Sequence, residues 1–344
     1  MINQVNTYRA IGVILIFLYH CVYCFGTYND LKIHWHVQAL TSLMWSGVNL
    51  FFIASGFING KNFIFCKNIR QFIIKRIARI VPLYFLFIFI GIIFSLKENN
   101  FFYSENYDIF IPLFFLSGMD FINQNIGPAY FSITWSLSVE IQLYILTVFI
   151  LLIKTTTTKL LIFCSIFLLS LIAPYLDKDI SHFGFIMHID EYLAGVFIRY
   201  IFENKISFNS KIFQCIHFEY YWIVIPFLTY LLRSDLNLGN AMFDNILLLF
   251  YTSLFYFILK LDFVKSKFLN TIGVNCYFIY LFHMVIFYGI CCTFKYFHLL
   301  GHSMLSVLIS FFLTLFLSVL SMKYFENPSR LGLIKILSNT KWLN

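Results

Sequence analysis

The stretch Arg9-Ala-Ile-Gly-Val-Ile-Leu-Ile-Phe-Leu-Tyr-His20 indicates the fold class of this chain. The residues between its two basic ends are apolar enough to enter a lipid bilayer as a helix. A helix turns about 100° per residue, so His20 points within roughly 20° of the direction of Arg9 and lies about 16 Å farther along the axis. A fixed cation therefore lies at one membrane edge, and a titratable imidazole lies near mid-bilayer on the same stripe. An ionisable side chain at that depth is by default a functional-site hypothesis.

The remainder of the chain has the composition of a polytopic membrane protein. Of its 344 residues, 60% are hydrophobic and 12% are charged, whereas soluble domains carry about 25% charged residues. The net charge of +8 is explained by basic loops on one side of a membrane, so we expect no nucleic-acid partner. The eight cysteines lie mostly within apolar segments and are interpreted as small apolar fillers, and no metal site is expected.

Ten segments are long enough to span about 30 Å of hydrocarbon. They fall near 10–26, 40–60, 78–96, 134–153, 159–176, 185–203, 219–233, 242–260, 271–294 and 302–322. Of the 24 Lys and Arg residues, 19 flank these segments on one side of the membrane and five on the other. Because cytoplasmic loops are enriched in Lys and Arg, this distribution predicts about ten transmembrane helices with both termini in the cytoplasm. We therefore expect an all-α polytopic membrane protein, with residues 1–344 forming one integral-membrane domain without a soluble appendage.

Two arginines mark the cytoplasmic end of the third predicted span. Arg76 and Arg79 are three residues apart and share a helix face. Arginines at a helix edge are suited to bidentate contacts with phosphate. A topology signal combined with contacts to anionic lipid is the alternative interpretation.

Three further ionisable residues lie within or at the ends of apolar segments. Glu140 is about two turns inside the external edge of the fourth span, where a carboxylate is costly unless it faces a partner or a wet cavity. His283 lies near the middle of the ninth span, and Glu191 lies at the outer end of the sixth. Each of the three could instead make a structural contact between helices.

The pattern of charges favours some chemistries over others. A cation and a base separated by about 16 Å suit a long anionic cofactor with a reactive far end, such as an acyl-coenzyme A. The sequence contains no G-x-x-x-x-G-K-[ST], G-x-S-x-G or H-E-x-x-H motif, so neither a serine hydrolase nor a zinc protease is indicated. A proton-coupled polytopic transporter or a glycan flippase is the alternative class.

The order of these elements resembles the bacterial membrane acyltransferase family three, the O-acyltransferases that modify surface sugars. The resemblance covers nearly the whole chain, from Asn6 to Pro328. The stretches that carry it are Val5-Asn-Thr-Tyr-Arg-Ala-Ile-Gly-Val13, Gly47-Val-Asn-Leu-Phe-Phe-Ile-Ala-Ser-Gly-Phe57, Arg76-Ile-Ala-Arg-Ile-Val-Pro-Leu-Tyr84, Trp135-Ser-Leu-Ser-Val-Glu-Ile-Gln142, Asp190-Glu-Tyr-Leu-Ala-Gly195, Tyr280-Leu-Phe-His283 and Glu326-Asn-Pro328.

The resemblance implies transfer of an acyl group, usually acetyl, from a cytosolic acyl-coenzyme A to a carbohydrate hydroxyl. Acetyl-CoA would be the donor substrate, and no cofactor would be bound permanently. Arg9, Arg76 and Arg79 would bind the phosphates of the donor. Because an unperturbed histidine side chain has a pKa of about 6.5, we expect His20 to take the proton of the acceptor hydroxyl or to help to form an acyl-enzyme. Glu140 would assist catalysis by orienting or stabilising His20, or would bind the sugar.

The resemblance also implies where the protein works and with what. Glu191 and His283 are candidate substrate-binding residues. The expected location is the bacterial cytoplasmic (inner) membrane, with the lipid bilayer as a partner. The acceptor would be an O-antigen, capsule or exopolysaccharide unit, and the glycan-assembly machinery is a further expected partner.

Overall fold

The computed structural model describes residues 2–28, 44–65, 68–97, 110–117, 129–176, 184–204, 240–260, 266–297 and 304–339. Every regular element within these ranges is helical, which confirms the predicted all-α class. In chain order the helices are α1 (Ile2–Tyr28), α2 (Gly47–Phe65), α3 (Ile69–Lys97), α4 (Phe110–Leu113), α5 (Ala129–Ser132), α6 (Thr134–Leu152), α7 (Thr156–Leu176), α8 (Ile189–Glu203), α9 (Asn240–Lys260), α10 (Lys267–Val274), α11 (Cys276–Tyr296), α12 (Met304–Ser321) and α13 (Asn327–Asn339). A 3₁₀ turn over Ile186–His188 precedes α8, and a π-helical segment over Met322–Glu326 joins α12 to α13.

Several of these helices have the length and composition of membrane spans. In the described part of the chain, five stretches are long and apolar enough to cross a bilayer. They are Ile69–Ile93, Thr134–Leu152, Thr157–Leu176, Cys276–Tyr296 and Met304–Asn339. The chain is thus a helical membrane protein, as predicted. Ten spans and cytoplasmic termini stay predictions, and the seventh predicted span, 219–233, lies outside the described residues.

Two predicted spans differ from the helices observed. The sixth, predicted at 185–203, becomes α8, whose 15 residues extend about 22 Å and fall short of a bilayer core of about 30 Å. The ninth, predicted at 271–294, is divided at Asn275 into α10 and α11. The side chain of Asn275 donates a hydrogen bond to the carbonyl of Thr271 (2.9 Å). The carbonyls of the last helical turn lack partners farther along the helix, and this bond satisfies one of them at the end of α10.

Helices α1 and α11 run side by side in the same direction. Near the start of α1, the amide of Asn6 donates to the side-chain oxygen of Asn270 in α10 (2.8 Å). Deeper along both helices, His20 of α1 contacts His283 of α11. This parallel arrangement places the stripe of α1 that bears Arg9 and His20 against α10 and α11.

Glycines permit the close approach of α2 and α8. A Cβ on Gly56 would lie 1.9 Å from the carbonyl oxygen of Tyr192, and a Cβ on Gly195 would lie 2.0 Å from that of Ile53. Small residues allow helix backbones to approach within a membrane, where packing replaces the hydrophobic effect as the source of association. The contact holds α2, one wall of the site described below, in a fixed position.

Gly195→Ala is therefore expected to lower the stability of the folded protein. The added methyl group would overlap backbone atoms, and overpacking of this kind costs about 1–3 kcal/mol. Thermal unfolding of the detergent-purified variant should show a lower midpoint. Gly289→Ala is the matched control, because a Cβ there meets no atom within 4 Å. Equal midpoints for the two variants would contradict the close contact of α2 and α8.

Candidate active site

Three arginines from two helices meet at one cavity of about 50 Å³. Arg9 comes from α1, whereas Arg76 and Arg79 come from one face of α3. Glu140 of α6 lines the same cavity. We call this space the arginine cavity. The structure thus brings together all three of the predicted phosphate-binding residues and one of the two predicted catalytic residues.

The positive charge of this cavity is poorly balanced. Among the described residues, no ion pair joins Arg9, Arg76 or Arg79 to a carboxylate, and Glu140 is the one acidic residue in the cavity wall. The Nε of Arg76 is buried and has no hydrogen-bond partner in the described part of the chain. A buried donor without a partner costs about 1–3 kcal/mol. An anion in the cavity would supply both the missing charge and the missing acceptor.

Aromatic rings and hydroxyls orient the charged groups. The guanidinium of Arg76 lies 5.5 Å from the ring centroids of both Phe72 and Tyr144. One carboxylate oxygen of Glu140 accepts hydrogen bonds from the hydroxyl of Ser55 (3.0 Å) and from that of Tyr144. Glu140 is therefore held by hydroxyl donors from α2 and from its own helix. Glu140, which the sequence placed about two turns inside the external edge of the fourth span, thus lies beside the arginines in the structure.

A second and larger cavity adjoins the first. It has a volume of about 310 Å³, within the range of about 300–1,000 Å³ typical of small-molecule sites. Arg9, Arg79 and Tyr277 line both cavities and form a shared wall. Beyond this wall, Glu326 and Arg330 contribute charged side chains. A long ligand could therefore occupy the larger cavity, which we call the adjoining cavity, and extend past the arginines.

His20 and His283 are hydrogen-bonded to each other. The Nε2 of His283 lies 2.9 Å from the Nδ1 of His20, although the two residues are 263 positions apart in sequence. His283 follows Tyr280, a residue of the arginine-cavity wall, by about one turn of α11. The histidine pair therefore lies one helical turn beyond that cavity, at the side of α11 that faces α1.

Glu191 lies apart from this group. It is buried near the start of α8 and pairs with the Nδ1 of His188 at 2.8 Å. The ring of His188 packs 4.7 Å from that of Phe52 and 5.2 Å from that of Trp135. Glu191 lines neither cavity, so the structure does not bring this predicted substrate-binding residue to the arginines.

The sequence did not single out several residues that shape the site. Tyr144 follows Glu140 by four residues, so helix spacing alone could have indicated their contact. Arg330 follows Glu326 by the same spacing and could have been noted in the same way. Ser55 lies 85 positions from Glu140, and no local pattern indicates such a contact.

Among the described residues, no three His, Cys, Asp or Glu side chains are grouped as they would be around a metal ion. The arrangement instead offers an anion-binding cavity, a larger adjoining cavity and a pair of imidazoles one turn away. Such a set can bind a long phosphorylated ligand and accept a proton near its far end.

Comparison with known proteins gives one match. The profile of a protein family described as an acyltransferase domain matches residues 2–323 of this chain. No curated protein and no solved structure matches it. The matched region contains all three arginines of the arginine cavity, Glu140 and both members of the histidine pair.

Proposed function

The chain belongs to membrane acyltransferase family three, and from this membership we propose that it transfers an acetyl group from cytosolic acetyl-CoA to a carbohydrate hydroxyl. The acceptor in this proposal is a unit of a surface or lipid-linked glycan, such as O-antigen, capsule or exopolysaccharide. The protein would act in the bacterial inner membrane, with about ten spans, both termini in the cytoplasm and the glycan-assembly machinery nearby. The observation that best supports the donor is the convergence of Arg9, Arg76 and Arg79 on one cavity, where none of them forms an ion pair with a carboxylate of the described residues.

The donor site follows from the chemistry of the two cavities. Acyl-coenzyme A carries a diphosphate and a 3′-phosphate at one end and a thioester at the other. The adjoining cavity would hold the nucleotide, with Arg330 near its phosphates, and the arginine cavity would hold the phosphates at the shared wall. From there the pantetheine arm would run along α1, because His20 lies about 16 Å beyond Arg9 by helix rise.

His20 is the general base in the proposed reaction. It takes the proton of the acceptor hydroxyl as that oxygen attacks the carbonyl carbon of the thioester. The new C–O bond forms, the C–S bond breaks, and the departing sulfur of coenzyme A takes the proton from His20. Atoms and charge balance without a metal or a second cofactor.

Glu140 has a supporting role in this proposal. Its carboxylate lines the arginine cavity together with the three arginines. It limits the net positive charge of the arginine cavity. The hydrogen bond that it accepts from Ser55 ties α2 to α6, and the one from Tyr144 lies within α6. The proposal therefore assigns Glu140 to the donor end of the site.

The decisive experiment compares the surface polysaccharide of the source strain with and without this gene. We expect alkali-labile acetyl esters to disappear on deletion and to return with the wild-type gene. Membranes that contain the protein should also transfer label from [¹⁴C]acetyl-CoA to the glycan fraction. An unchanged polysaccharide together with proton-coupled solute uptake would instead support a transporter.

A further inference from the structure

The hydrogen bonds of His283 determine where its own proton lies. Its Nδ1 is 2.7 Å from the carbonyl oxygen of Tyr280 and 3.1 Å from that of Ile279. Both neighbours are backbone carbonyls and can only accept a hydrogen bond. The Nδ1 of His283 must therefore carry a proton.

Burial then determines the state of the second nitrogen of His283. The residue is 1% exposed, and among the described residues the partners of its ring nitrogens are two carbonyls and another imidazole. A buried imidazolium without a carboxylate partner is costly, so His283 is neutral. A neutral imidazole carries one proton, and here that proton is on Nδ1, so its Nε2 is an acceptor.

Because the Nε2 of His283 is an acceptor, the tautomer of His20 can be inferred. Its Nδ1 lies 2.9 Å from the Nε2 of His283 and must donate the proton of the hydrogen bond. In neutral His20 the lone pair is then on Nε2. His20 is partly exposed, whereas both nitrogens of His283 are engaged. The Nε2 of His20 is thus the nitrogen of this pair that can accept a further proton.

We propose that His283 is a positioning residue that holds His20 in the tautomer with its proton on Nδ1 and its lone pair on Nε2. The inference rests on the proposed role of His20 as general base. When the Nε2 of His20 takes the proton of the acceptor hydroxyl, its Nδ1–H continues to donate to the Nε2 of His283. The Nδ1–H of His283 in turn donates to the carbonyl of Tyr280, which keeps the ring of His283 in place. This role differs from the substrate contact predicted for His283 from the sequence.

The test is a set of variants measured for turnover and for donor binding. His283→Leu removes the acceptor and should lower kcat by about 10–100-fold, the scale seen when the partner that orients a metal-bound histidine is lost. The affinity for acetyl-CoA should stay at the wild-type value, which also shows that the variant is folded. His283→Gln keeps an amide oxygen near the position of Nε2 and should restore most of the lost turnover.

A double variant separates a positioning role from a purely structural one. If His283 acts through His20, adding His283→Leu to His20→Ala should cost no further activity, since the effects of residues that work as a unit are not additive. A further loss in the double variant, or equal turnover in the Leu and Gln variants, would overturn the inference. Full turnover of His283→Leu beside an inactive His20→Ala would overturn this inference alone, whereas full activity of His20→Ala would overturn the proposed base as well.

Nitrogen NMR gives a readout that does not depend on activity. Protein labelled with ¹⁵N-histidine shows, from its ring-nitrogen shifts, which nitrogen of each histidine carries the proton. The signals that vanish in His20→Ala identify His20. A protonated Nδ1 and an unprotonated Nε2 are expected for it, and the reverse pattern would overturn the proposal.

Discussion

His20→Ala is expected to abolish acyl transfer while leaving the protein folded and able to bind its donor. Removal of a general base lowers the rate by about 10²–10⁴-fold, because the acceptor hydroxyl must then lose its proton to water. Binding of acetyl-CoA should be unchanged, since the proposed phosphate site is near Arg9, about 16 Å away along α1. Acetyl ester content of the glycan and calorimetric titration of the purified protein measure the two effects.

The control for this variant is the amount of protein in the membrane. A loss of acetylation counts only if His20→Ala reaches the membrane level of the wild type. Near-normal acetylation of the glycan at that level would remove His20 from the mechanism. A parallel loss of donor binding would instead place the imidazole in the donor site.

Substitution of the arginines should weaken donor binding, which substitution of His20 should leave unchanged. Arg76→Ala and Arg79→Ala should each weaken acetyl-CoA binding tenfold or more, because a hydrogen bond to a charged group contributes about 1.5–3 kcal/mol. Arg9→Lys should also be impaired, since lysine keeps the charge but loses the forked geometry that suits phosphate. Calorimetric titration of acetyl-CoA into detergent-purified variants measures the effect directly.

Lys75→Ala is the matched control for these variants. Lys75 precedes Arg76 on α3, is exposed and lines neither cavity, so its loss removes the same charge without touching the site. Donor affinity should therefore stay at the wild-type value. If the arginines instead serve as lipid contacts, their variants should show reduced insertion and unchanged affinity. Wild-type affinity in all three arginine variants would leave the cationic site without support.

The sequence was sufficient to predict the helical class and which charged residues share a helix or a helix face. Arg9 and His20 do lie on one helix, as the apolar stretch between them predicted. Arg76 and Arg79 share a face because their spacing on a helix requires it. These features depend on properties within one helix, which the residue order determines.

The contacts between helices could not be predicted in the same way. Helix spacing tells which residues share a stripe, but the partner of that stripe depends on how closely two helices approach. The approach of α2 to α8, for example, depends on Gly56 and Gly195, and the sequence does not indicate that these two glycines belong to neighbouring helices. The pairings of His20 with His283 and of Glu140 with Ser55 join distant parts of the chain, and so the sequence offered these residues as separate candidates.

The wall between the two cavities is formed by Arg9, Arg79 and Tyr277. In the proposed reaction these residues contact the phosphates of the donor, which the reaction leaves unchanged. After transfer, coenzyme A keeps every phosphate and has lost only its acyl group. The same residues therefore hold the spent product about as firmly as they held the substrate, and such uniform binding does not raise the rate of the chemical step. Free coenzyme A would therefore compete with acetyl-CoA for these residues. Under the proposed function, the rate of glycan acetylation would thus follow the cellular ratio of acetyl-CoA to free coenzyme A, and the modification would respond to the metabolic state of the cytosol.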